Sequence, residues 1–199
     1  MHQEQYDLLM EAAEKNAYMS IAVSEDGAPV NSGPIPWERT LSGFNMRTPK
    51  LTVSAADLVD EAVMSALERC DLRGMYIFSG LSDYGFISGF KRLQDLFICR
   101  GEQIRDLSFV RELKDLFMFY LEDASIPDLK PLIEACGKGP GGPGKCFGFR
   151  RCDVADTSAL MNIDFVLSEL LVWPVPGDTE DRWITSRKPG VFRFYEANE

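Results

Sequence analysis

The residues most suggestive of chemistry are a glycine-rich run ending in lysine. Gly139-Pro140-Gly141-Gly142-Pro143-Gly144-Lys145 satisfies G-x4-G-K, and Gly137-x-Gly139-x-x-Gly142 satisfies G-x-G-x-x-G. A phosphate-cradling loop must leave a strand and open a helix, so that backbone N–H groups and the helix N-terminus face the phosphate. Here the order is reversed: the run follows an apolar return segment, Leu129 to Ala135, and leads into an expected strand, Phe147 to Arg150. Position 146 is Cys where a Ser or Thr would hold magnesium, and two prolines withdraw N–H donors. Residues 137–145 therefore read as an inserted flexible loop, and no cofactor is expected.

Acid–base and metal chemistry have little material. His2 is the single histidine and sits at a terminus, so a Ser-His-Asp or Cys-His centre lacks a base. Cys70, Cys99, Cys136, Cys146 and Cys152 are odd in number and lack paired C-x2-4-C spacing, which predicts reduced packing thiols and no zinc site. Asp95 and Asp115 could be imagined as a glycosidase pair, but acids at repeated positions need only solubility as an explanation.

Acidic residues number 31 and basic residues 21, a net charge of −10, and no basic stripe offsets it; nucleic acid is not an expected partner. The longest apolar runs fall far below the roughly 18 residues of a membrane span. Acids occupy the N-terminal positions where a secretory signal carries bases, so a cytoplasmic location is expected.

The elements that position these residues are set by an internal repeat. Leu93-Gln94-Asp95-Leu96-Phe97-Ile98 is matched by Leu113-Lys114-Asp115-Leu116-Phe117-Met118, 20 residues on. Behind each, Ile104-Arg105-Asp106-Leu107 is matched by Ile126-Pro127-Asp128-Leu129, 22 residues on. Periods of this length mark stacked architectures, because one strand with its return segment cannot close a core alone.

The pattern resembles the leucine-rich repeat family, L-x-x-L-x-L-x-x-N/C, and within it the short-period bacterial repeats of internalin type. Leu72-x-x-Met75-x-Ile77-x-x-Gly80, Leu93-x-x-Leu96-x-Ile98-x-x-Gly101 and Leu113-x-x-Leu116-x-Met118-x-x-Leu121 carry the resemblance. Two degenerate copies follow, Gly144-x-x-Phe147-x-Phe149-x-x-Cys152 and Leu167-x-x-Leu170-x-Val172-x-x-Val175. The resemblance implies an α/β leucine-rich-repeat solenoid with a parallel sheet over residues 71–199 and an N-terminal helical cap region over 1–70. In the cap, Tyr6, Leu9, Met10 and Ala13 at helical spacing predict a first helix. Tyr18 to Val23 and Leu51 to Val53 read as strands, and Ser54-Ala55-Ala56-Asp57 reads as a capping box opening a helix that runs to about Arg69.

If the ladder leucines face inward, the residues between them face the concave side. One row is then Tyr76, Phe97, Phe117, Gly148, Leu171 and Phe192, the next Phe78, Cys99, Phe119, Arg150, Trp173 and Phe194, with Asp95, Asp115 and Glu169 beside them. Nine of the twelve residues in the two rows are aromatic or leucine, more apolar than a solvated sheet face, which marks an interface or a covered core. Three outcomes follow: the segment from Tyr18 to Trp37 covers the face, two copies bury it in a homodimer, or it binds a partner protein. The expected function is non-catalytic protein–protein interaction. Its contact residues are Tyr76, Phe78, Asp95, Phe97, Asp115, Phe117, Phe119, Arg150 and Trp173. The alternative is a hydrolase or small-ligand binder using the Asp95/Asp115 row or the loop at 137–145.

Overall fold

Parallel strands dominate the architecture, and most of them are buried on both faces, as is usual for parallel sheets. The structure, a computed structural model, describes residues 1–28, 49–136, 144–173 and 192–194. The chain is α/β and divides into two compact units, Met1–Ser79 and Gly80–Glu199.

In the first unit, helix α1 (Gln3–Glu14) buries Leu9, Ala12 and Ala13. Strands β1 (Tyr18–Ser24), β2 (Leu51–Ser54) and β3 (Asp71–Ile77) pair in parallel in the order β2-β1-β3. The capping box forms: the Ser54 hydroxyl accepts from the Asp57 N–H at 3.1 Å while the Asp57 carboxylate accepts from the Ser54 N–H at 2.7 Å. It opens only a 3₁₀ turn, Asp57–Val59. The chain then extends at Asp60, ψ 119°, whose carboxylate accepts from Ala62 and Val63 and starts helix α2 (Glu61–Arg69). This second start leaves Val59, which precedes it, 86% exposed, while Val63, Ala66 and Leu67 on α2 are buried.

In the second unit, strands β4 (Asp95–Ile98), β5 (Met118–Glu122), β7 (Lys145–Arg150), β9 (Leu167–Trp173) and β10 (Phe192–Phe194) pair in parallel, each beside the next. A short parallel pair, β6 (Ser125–Asp128) with β8 (Asp153–Asp156), forms a second sheet, and helix α3 (Lys130–Ala135) follows β6. The return segments share one device. Asp83, Asp106, Asp128 and Asp156 each accept through Oδ1 the N–H two residues on, at 2.7, 2.7, 2.7 and 2.8 Å. An aspartate that bonds its own backbone in this way fixes a turn and offers an orphan N–H a partner at the start of a helical segment. After these turns come the 3₁₀ segments Gly85–Gly89, Ser108–Val110 and Ser158–Asn162, and α3.

Around each aspartate the burial pattern is constant, and apolar at every place but Thr157: Leu81-x-Asp83-Tyr84-x-x-Ile87, Ile104-x-Asp106-Leu107-x-x-Val110, Ile126-x-Asp128-Leu129-x-x-Leu132 and Val154-x-Asp156-Thr157-x-x-Leu160. Every named non-aspartate position in it is buried. The ladder then steps by threes into the strand, through Ile87, Phe90, Leu93 and Leu96 in one repeat and Val110, Leu113, Leu116 and Phe119 in the next.

That ladder corrects the 20-residue alignment. Leu96 pairs with Phe119, 23 residues on, and Leu116 stands before β5. A pattern with apolar residues every three positions looks almost the same when slipped by three. Three is odd, so in a strand the slip exchanges the two faces. Phe147 pairs with Phe119 at a spacing of 28, and Leu170 with Phe147 at 23, so the longer interval lies between β5 and β7. Residues 29–37 of the segment from Tyr18 to Trp37, Val175 of the last repeat copy and residues 137–143 of the glycine-rich run lie outside the described residues.

Candidate functional site

Side chains in register across a parallel sheet share a face. On β4 to β9 that rule gives three rows. Asp95, Met118, Cys146 and Glu169 form the first; Phe97, Tyr120, Gly148 and Leu171 the second; Glu122, Arg150 and Trp173 the third, with Cys99 just past the end of β4. The other face carries Leu96, Phe119, Phe147 and Leu170, then Ile98, Leu121, Phe149 and Val172.

Phe97, Arg150 and Trp173 thus share the face expected of them. Phe119 does not: it lies with Leu96 on the other face, its ring 6.0 Å from that of Phe149. Phe117 precedes β5 and is half-buried, its N–H on the Gln94 carbonyl. Asp95 is buried and in register with Met118, whereas Asp115 is exposed in the turn before β5, so the Asp95/Asp115 row is not assembled. Tyr76 and Phe78 belong to the first unit. Tyr76 is fully buried in register with Ala22, and Phe78 is half-buried just past β3, its N–H on the Val23 carbonyl. Phe192 is in register with Leu170 and Phe194 with Val172.

The slip conceals Tyr120 and Glu122, which occupy the places expected of Phe117 and Phe119. Their strand follows the Asp106 turn at the distance at which β4 follows the Asp83 turn, and aligning those two aspartates would have found them.

The second row is packed by aromatic contacts. Phe97 and Tyr120 stack with centroids 5.9 Å apart, and the Trp173 ring meets Tyr120 edge-on at 6.2 Å. Gly148 makes room for this: a Cβ there would lie 2.7 Å from Tyr120 Cδ2. Phe97 and Tyr120 are buried, so the row is covered rather than open, while Cys99, Arg150 and Trp173 remain partly accessible.

The third row carries charge. The Glu122 carboxylate accepts from the Tyr120 hydroxyl at 3.3 Å, from Arg151 Nη2 at 2.5 Å and lies 3.2 Å from Arg150 Nη1. Arg151 also forks onto Asp123, Nε to Oδ1 at 2.6 Å and Nη2 to Oδ2 at 2.7 Å. Burial raises the Glu122 carboxyl above its ordinary range despite both arginines. Burial and the neighbouring Glu122 charge raise the Tyr120 hydroxyl and push the Cys99 thiol up to about 12. At neutral pH Tyr120 and Cys99 are therefore protonated, and Cys99 is not a thiolate nucleophile.

The lysine of the glycine-rich run has another occupation. Lys145 opens β7, is buried, and its ammonium donates to the Leu116 carbonyl, which ties β7 to the segment before β5. Among the described residues no cluster of three or more His, Cys, Asp or Glu is placed to hold a metal ion, and no helix is long and apolar enough to cross a membrane. Comparison of the chain with protein-family models, curated proteins and solved structures finds no match.

Proposed function

We propose that the chain is a non-catalytic protein-binding module, a leucine-rich-repeat solenoid of the short-period internalin type over residues 71–199 with an N-terminal helical cap region over residues 1–70. The observation that carries this reading is the third row. It sets a glutamate, an arginine and a tryptophan, Glu122, Arg150 and Trp173, at the ends of three adjacent strands, with Arg150 and Trp173 partly accessible. Arginine and tryptophan are the side chains that most often dominate interface energetics. Because Phe97 and Tyr120 are covered, the contact surface is this rim of the face and not its aromatic floor. A reducing intracellular setting belongs to the same reading, since all five cysteines are free thiols.

The test is photo-crosslinking from position 169, half-buried on the same face. A crosslinked protein is identified by mass spectrometry, purified and titrated against wild type and Trp173→Ala. Binding weakened by about tenfold, the order of one anchor residue, is the expected result. Equal affinity for both forms, or no crosslink above the control, would reject the reading.

A further inference from the structure

Arg150 is unevenly matched. Its side chain has one polar contact among the described residues, Nη1 to Glu122 at 3.2 Å, and is 29% exposed. Glu122 has closer company, with Arg151 Nη2 at 2.5 Å on the same oxygen and the Tyr120 hydroxyl on the other. Arg151 is committed to Asp123 through both arms of its fork. The two carboxylates are thus satisfied largely by one arginine, and the second keeps most of its five N–H donors for something else.

We propose that Arg150 reads a carboxylate on a partner polypeptide, an acidic side chain held by the guanidinium fork while the adjoining apolar chain lies against Trp173. The inference rests on the protein-binding reading above and names the chemistry that the site selects. A planar guanidinium matches the two oxygens of a carboxylate, and the bonds are charge-assisted. Arg150 and Trp173 are in register on adjacent strands, so a ligand can touch both. Glu122 stands behind Arg150, orients it and repels the incoming anion, so removing the Glu122 charge strengthens binding. The chain's net charge of −10 opposes an acidic partner at long range. Salt screens that opposition beyond about 10 Å at 0.1 M, so selectivity is decided at the fork.

The experiment uses the full chain and a short fluorescent peptide alternating glutamate with phenylalanine, followed by anisotropy, with glutamine and lysine counterparts and inorganic phosphate as competitor. The glutamate peptide is expected to bind about tenfold tighter than the glutamine one, the scale of a charge-assisted hydrogen-bond pair. Arg150→Ala is expected to erase that preference, Arg150→Lys to retain part of it, and Glu122→Gln to strengthen binding. The inference fails if Arg150→Ala binds the glutamate peptide like wild type. It also fails if the glutamine or lysine peptide binds as well, if no glutamate peptide binds, or if phosphate displaces the peptide and so takes the fork itself. Should Trp173→Ala weaken a crosslinked partner while Arg150→Ala does not, the protein-binding reading stands and the carboxylate assignment alone falls.

Discussion

Arg151 grips Asp123 through two parallel contacts of 2.6 and 2.7 Å, and both residues hold a left-handed backbone, φ 50° and 58°. The fork spans adjacent strand ends, where the Asp123 N–H reaches the Arg150 carbonyl and the Arg151 N–H that of Trp173. Glycine would fit both backbones without strain, so each charged side chain is held at a conformational cost of order 1 kcal/mol.

That cost separates two substitutions at one position. Arg151→Gly loses the fork but sheds the strain and is expected to stay within about 1 kcal/mol of wild type. Arg151→Ala loses the fork and keeps the strain, and is expected to be destabilised by about 1–2 kcal/mol. Urea unfolding decides it; an alanine variant as stable as the glycine variant would show that the left-handed backbone at this position carries no strain.

Gly148→Ala is expected to cost about 1–3 kcal/mol, because the new methyl must drive the Tyr120 ring away from Phe97 and Trp173. Combining it with Tyr120→Ala should recover most of the loss that Gly148→Ala adds alone. Thermal unfolding of the four members of the cycle checks this, and additive losses would count against the steric account.

Phe97→Ser is expected to unfold much of the chain, costing about 3–5 kcal/mol, because the ring is buried and stacked on Tyr120. Phe117→Ser, at a half-buried position before β5, should cost far less. Equal midpoints in denaturant would mean that Phe97 is not core.

The aspartate turns predict an acid limb. Asp106 sits below its ordinary value of 3.8 because the Ser108 hydroxyl and N–H both bond its carboxylate. A carboxylate depressed on folding stabilises above its unfolded pKa, and that stability is lost as pH falls through the folded value. Asp106→Ala is expected to cost about 1 kcal/mol at neutral pH. Asp106→Asn should cost less, since its amide oxygen still accepts, and should flatten the loss of stability below pH 3.8. Titration of the unfolding midpoint from neutral to acid checks both.

What was legible follows from periodicity. Alternation within a strand has a period of two, so Phe97, Arg150, Leu171 and Trp173 could be assigned to one face from their own strands. Register between strands was harder, because the ladder of threes that fills the core from Ile87 to Leu96 supports two alignments equally well. The Ile-x-Asp-Leu match at 22 residues was the better guide, since an aspartate bonded to its own backbone cannot slip along the chain. Glu122 and Lys145 illustrate what composition hides. Each is a buried charge whose partners, Arg150 and Arg151 for one and the Leu116 carbonyl for the other, lie some thirty residues away in sequence.

The thiols offer a practical consequence. Cys70, Cys136, Cys146 and Cys152 are all buried, and desolvation pushes the last three up to about 12. Cys152 sits beneath the Leu121 carbonyl at 3.3 Å, Cys146 inside β7, Cys136 at the end of α3 and Cys70 at the end of α2. Alkylation of the intact chain must wait for each locality to open. The order in which a mass tag arrives at these four sites would therefore time the loosening of successive parts of the protein, using clocks already present in the sequence.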